Sequence, residues 1–159
     1  MEKIIKILIA LFVLTFPYTV NAGNTAQITM TLVNNASADI DISPGIWQPT
    51  AGLGSNENTG ESGYFTIYNN GTLMVDIYIN GENSSDWTLS SFSGHDTFSL
   101  KYNLTDAGSW TSVTLSPSLF INNFSHNSFK TFDLWLYMPS STSTERPQAT
   151  NVTITIQPT

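Results

Sequence analysis

Tyr64-Phe65-Thr66-Ile67-Tyr68-Asn69-Asn70-Gly71-Thr72-Leu73-Met74-Val75-Asp76-Ile77-Tyr78-Ile79-Asn80-Gly81 decides the fold. Its apolar residues recur at every second position. Phe65 and Ile67 share one face, then Val75, Ile77 and Ile79 share another, with Asp76 and Tyr78 pointing the opposite way. Side chains alternate across a β-strand, so this period means half-buried strands and not a helix. Asn70-Gly71 and Asn80-Gly81 supply residues that tolerate positive φ, and the spacing predicts a meander of strands at 64–68 and 73–79 with an Asn-Gly turn after each.

The same period extends in both directions. Ile28, Met30 and Leu32 alternate with Thr29 and Thr31, and Ile40 and Ile42 sit between Asp39 and Asp41 before Pro44-Gly45 stops the run. Residues 46–62 are rich in Gly, Asn, Glu, Pro and Thr and read as one long loop. Weaker strands are predicted at 87–89, 98–102 and 113–115. A strong one has Phe132, Leu134, Leu136 and Met138 facing inward and Asp133, Trp135 and Tyr137 outward, and Val152, Ile154 and Ile156 make the last. Seven to nine short strands and no internal repeat predict an all-β, two-sheet antiparallel sandwich, immunoglobulin-like or jelly roll.

The first 22 residues follow a different logic. Lys3 and Lys6 precede an apolar run ending near Phe16, Pro17 breaks it, and Val20 and Ala22 suit signal peptidase. The run is shorter than the roughly 20 residues of a spanning helix, so a cleaved leader is favoured over an anchor. The expectation is a leader at 1–22, a sandwich domain at 23–159, secretion to the cell exterior, and no membrane span after cleavage.

The whole chain has 5 basic and 12 acidic residues. Cleavage removes Lys3, Lys6 and Glu2, which leaves 3 basic against 11 acidic residues and a net charge of −8. Lys101, Lys130 and Arg146 cannot form the basic stripe that displaces counterions from phosphate, so a nucleic-acid partner is excluded. There is no cysteine, so sheet packing must supply stability without disulfides.

The run Ile40-Asp41-Ile42-Ser43-Pro44-Gly45, followed by Tyr64-Phe65-Thr66-Ile67-Tyr68-Asn69-Asn70-Gly71, resembles secreted filament subunits of the TasA and camelysin type and the archaeal bundling pilins. That resemblance implies a jelly-roll-like subunit polymerised by donation of an N-terminal strand. Only residues 23–26 precede the first strand, so the donated segment would be that strand itself, with Ile28, Met30 and Leu32 filling pockets of the next copy. The implied partner is a second copy, in a homopolymer. The other readings are a monomeric adhesin or carbohydrate-binding module, with a cell-surface glycan or protein as partner, and a virion structural protein.

Catalytic chemistry is weakly represented. His95 and His126 are the only imidazoles, both in polar loops without a nucleophile or metal-protease motif, so no enzyme activity and no cofactor are expected. Ca²⁺ takes about six to eight oxygens, and no D-x-D-x-D-G run provides them, so no metal is expected. Six Asn-x-Ser/Thr sequons, at Asn35, Asn70, Asn83, Asn103, Asn123 and Asn151, mark candidate outward-facing glycosylation positions. Tyr78, Trp135 and Tyr137, with Tyr64 and Tyr68, lie opposite the core positions and are candidate contacts for a sugar ring or a second subunit.

Overall fold

A computed structural model describes residues 26–34, 39–60, 63–105 and 107–159, and the predicted leader lies outside them. The described residues form twelve strands and no helix. The strands are β1 (Ala26–Asn34), β2 (Ile40–Ser43), β3 (Ile46–Trp47), β4 (Asn56–Asn58), β5 (Phe65–Asn69) and β6 (Val75–Gly81), then β7 (Thr88–Leu89), β8 (Thr97–Leu104), β9 (Thr111–Ser112), β10 (Ser118–Phe124), β11 (Ser128–Tyr137) and β12 (Gln148–Pro158). Twelve exceeds the predicted seven to nine because β3, β4, β7 and β9 are pieces of two or three residues, too short to leave a periodic signal.

One sheet runs β10-β6-β12-β1-β3, and the other runs β2-β5-β11-β8-β7 with β4 on β11 and β9 on β8. Both contribute to one core. Ile77, Ile79, Val152, Ile154 and Ile156 of the first sheet and Phe65, Ile67, Leu100, Phe132, Leu134 and Leu136 of the second are fully buried in it. Phe120 of β10 meets Tyr102 of β8 at 5.0 Å and Phe132 of β11 at 5.1 Å between ring centroids, both edge to face, the favoured arrangement for aromatic quadrupoles.

The pairings nest. The first strand pairs with the last (β1·β12), β5 pairs with β11, β6 with β10, and β8 with β9. The last three pairs are antiparallel, but β1 lies parallel to β12, as β7 does to β8, so the sheets are mixed and not wholly antiparallel.

The decisive stretch keeps its alternation and loses its meander. β5 and β6 belong to different sheets, so Asn70-Gly71 is a corner between layers and not a hairpin turn. Asn69, fully buried at the end of β5, builds that corner. Its Nδ2 donates to the carbonyls of Leu73 (2.9 Å) and Phe124 (3.1 Å), and its Oδ1 accepts from Gly71 N. Asn80-Gly81 is likewise no turn: Gly81 ends β6 pressed so closely on Leu89 that an added Cβ would lie 2.6 Å from its Cδ2.

Strand β11 shows the predicted inward face, with one correction. Asp133 points away from the core as expected but is 0% exposed. β4 and β5 both pair with β11, and Thr59, Gly63 and Tyr64, which lie between them in sequence, close over Asp133. Its Oδ1 accepts from Thr59 Oγ1 and Tyr64 N and its Oδ2 from Gly63 N, each at 2.9 Å. The predicted loop at 46–62 therefore contains β3 and β4. The predicted strand at 113–115 is displaced to β9, Val113 being buried just after it. β10 carries no alternation in sequence because two register shifts interrupt its pairing with β6.

Candidate assembly strand and outer faces

β1 is the first described element, and its register against β12 is unbroken for nine residues, Ala26↔Gln148 to Asn34↔Ile156. On its other side β3 pairs only at Ile28↔Trp47 and Thr29↔Ile46, with one further bond from Met30 N to Gly45 O. Ile28 is fully buried and Met30 packs partly buried against the core, as predicted, whereas the side chain of Leu32 lies outside the described residues. A small cavity beneath the start of β1 is lined by Ile28, Trp87, Phe98 and Leu136.

Its neighbour β12 is fastened more thoroughly. Gln148, buried at the strand's start, accepts through Oε1 from Ser84 Oγ, Ser85 Oγ and Asp86 N, and donates through Nε2 to Asp86 Oδ2 and to the Arg146 carbonyl. Arg146 Nη2 donates to both oxygens of Asp86 at 3.0 and 3.1 Å. The Gln148 hydrogen bond, with Ser85 and Arg146 adding to it, holds the Asp86 carboxyl below its usual range.

Of the candidate aromatics, Tyr78, Trp135 and Tyr137 are half-buried and Tyr64 and Tyr68 are exposed. Trp135 and Tyr137, two residues apart on β11, stack at 4.9 Å and 27°. Lys101 Nζ stands over the Tyr137 ring at 5.0 Å, and Trp110 meets Trp135 edge to face at 5.1 Å. Trp135 Nε1 donates to Asn56 Oδ1 at 3.0 Å. Burial raises the Tyr137 hydroxyl pKa. Trp135 thus covers part of the Tyr137 ring, while Tyr137 and Lys101 together line an open pocket with Phe92 and Ser99. Tyr78 faces outward on the first sheet, opposite Leu119 and Thr155. Tyr68 and Phe129 form a second, more open pair, their centroids 5.8 Å apart and Phe129 63% exposed.

His95 and Asp96 do meet hydroxyls. His95 Nδ1 lies 3.0 Å from Ser141 Oγ, and its Nε2 lies 3.3 Å from both Ser143 Oγ and Asp96 Oδ2. Asp96 accepts from Thr142 Oγ1, Ser143 N and Ser143 Oγ, and these Ser143 bonds are what lower its pKa most. The carboxylate is spent mainly on the 142–143 backbone and hydroxyls, so the arrangement latches two loops together. Among the described residues no three His, Cys, Asp or Glu side chains gather into a metal-binding group.

Of the sequons, Asn35 lies outside the described residues. Asn70, Asn83, Asn123 and Asn151 are exposed, but Asn103 in β8 is only partly so, and its Oδ1 is buried without a partner. Asn103 faces outward beside Asp133 and is half-buried. Sequence reading passed over Asp133, Asn69 and Gln148, the buried polar residues that organise the loops. No family model matches this chain, and no curated protein matches it significantly.

Proposed function

We propose that this protein is an exported, non-enzymatic structural subunit that self-associates by addition of its first strand to a second copy. The fold underneath is read as a jelly roll, because the nested antiparallel pairs β5·β11, β6·β10 and β8·β9 are those of one long ribbon wrapped into two sheets. The observation that carries the reading is the orientation of β1. A wrapped ribbon calls for an antiparallel strand beside β12, and the chain fills that slot with a parallel one. Parallel pairing is slightly weaker per residue, so a strand arriving antiparallel from another copy competes on favourable terms.

Two further features support the exchange. β1 carries no charge and no proline, the usual guards against strand addition. It is held on its far side by only two paired residues of β3. The resemblance to TasA-type and bundling-pilin subunits fits this arrangement. The test is light scattering with electron microscopy on concentrated protein: ordered fibres are expected, and a chain that stays monomeric throughout overturns the proposal.

A further inference from the structure

We infer that the outer face of the second sheet carries a binding groove for an acidic sugar, with Phe92 stacking on the pyranose ring and Lys101 holding its carboxylate. The groove is built on β8 and β11 and uses no residue of β1, so it stands whether or not copies exchange strands.

Its floor follows from the alternation of β8. Ser99 and Lys101 are two residues apart and share the outward face, and in the β8·β11 ladder they lie opposite Tyr137 and Trp135. Ser99 Oγ donates to the Ser91 carbonyl at 3.2 Å, which draws the segment after β7 alongside β8. Ser91, Phe92 and Ser93 of that segment line an open groove of about 150 Å³ together with Ser99, Lys101 and Tyr137. Phe92 is the most exposed large apolar side chain of the described residues, at 79%. The loop that carries it is nonetheless fixed at both ends. Ser90 N donates to the Phe98 carbonyl before it, Gly94 and Thr97 close a turn after it, and Ser140 N donates to the Gly94 carbonyl. A ring presented to water on a fixed loop loses little conformational freedom when a ligand covers it. Trp110 meets Trp135 and Trp135 meets Tyr137, so the groove opens onto a run of aromatic side chains, the lining that marks a ligand site.

Three kinds of group select the ligand. The C–H face of a pyranose packs on an exposed aromatic ring, and its hydroxyls need polar partners beside that ring. Ser99 is 2% exposed and its proton is committed to Ser91, so it offers lone pairs in a fixed place, whereas the exposed Ser91 and Ser93 hydroxyls rotate to donate or accept. Lys101 supplies the charge. Its ammonium stands 5.0 Å from the Tyr137 centroid, and among the described residues no carboxylate pairs with it. The chain has 12 acidic residues to 5 basic ones, which makes this a rare local positive charge. A sugar carboxylate gains a charge-assisted hydrogen bond there that a neutral sugar lacks.

The test is calorimetric titration of the folded chain with digalacturonate and with sialyllactose, each beside its neutral counterpart, the digalacturonate dimethyl ester and lactose. Phe92→Ala and Lys101→Met, which keeps the aliphatic stem, are titrated in parallel after an unchanged Tm shows that they fold. At least one acidic probe should bind wild type about tenfold more tightly than its neutral counterpart, the effect of one hydrogen bond to a charged group. Lys101→Met should remove that preference, and Phe92→Ala should weaken acidic and neutral probes alike. On wild type, the bound probe should slow hydrogen exchange over residues 91–93, a readout that needs no variant. The inference is overturned if neither acidic probe binds, if acid and neutral partner bind equally, if the preference survives in Lys101→Met, if Phe92→Ala binds as wild type does, or if exchange over 91–93 is unchanged.

Discussion

Replacing Asp133 with Asn changes one oxygen of a carboxylate to an NH₂ group at a site that no solvent reaches. All three hydrogen bonds there run toward the carboxylate, two to Oδ1 and one to Oδ2. An asparagine keeps at most one acceptor oxygen, so its NH₂ must face either Gly63 N–H or the pair formed by Thr59 and Tyr64. The milder orientation loses the Gly63 bond and sets donor against donor. A hydrogen bond to a charged group contributes about 1.5 to 3 kcal/mol, and an unsatisfied buried donor costs about 1 to 3. Relief from burying a charge offsets part of this, leaving a destabilisation of about 2 to 4 kcal/mol. For a chain of this size that lowers Tm by roughly 10 °C. Thermal and urea unfolding measure it, and hydrogen exchange at Gly63 and Tyr64 should accelerate selectively. Asp41→Asn, which alters an exposed bond to Asn70, is the control and should shift Tm little. Equal Tm values for Asp133→Asn and wild type would refute this account of Asp133.

Gly63→Ala should cost about 2 to 4 kcal/mol in urea unfolding, because φ is +77° and the new Cβ would overlap Thr131; an unchanged midpoint contradicts it. Asp96 is held below its usual pKa by Ser143, so its contribution is present above the ordinary carboxylate range and disappears as pH falls through the lowered value. Wild type should therefore melt above Asp96→Asn at neutral pH and converge with it in acid, whereas a gap independent of pH would rule out the latch. Leu134→Asp places a charge at a fully buried position and should abolish the cooperative transition.

Much of the architecture was legible because burial leaves a period in sequence. Phe132, Leu134, Leu136 and Met138 alternate, and each is buried. Alternation reports which face is covered and is silent on which strand lies alongside, so Asn70-Gly71 could suggest a hairpin where the chain changes sheets. Asp133 was misread for a related reason. A polar residue on an outward position predicts solvent unless a loop covers it, and the donors that cover Asp133 are Thr59, Gly63 and Tyr64, about 70 residues earlier in the chain. Tyr137 and Trp135 alternate to the same face, but the side chains that meet them, Lys101 and Trp110, come from more than 20 residues earlier in the chain and leave no local signal.

The proposal that β1 leaves its own chain is best tested by locking it there. The protein has no cysteine, so a pair can be introduced without competing thiols. Thr31 and Thr153 lie directly opposite in the parallel β1·β12 register, and both side chains face away from the core. In Thr31→Cys/Thr153→Cys, oxidation at low protein concentration should join β1 to β12 of the same chain. Light scattering and electron microscopy at high concentration should then show monomers for the oxidised form and fibres for the reduced form. Fibres from the fully oxidised, intrachain-linked protein would contradict strand exchange.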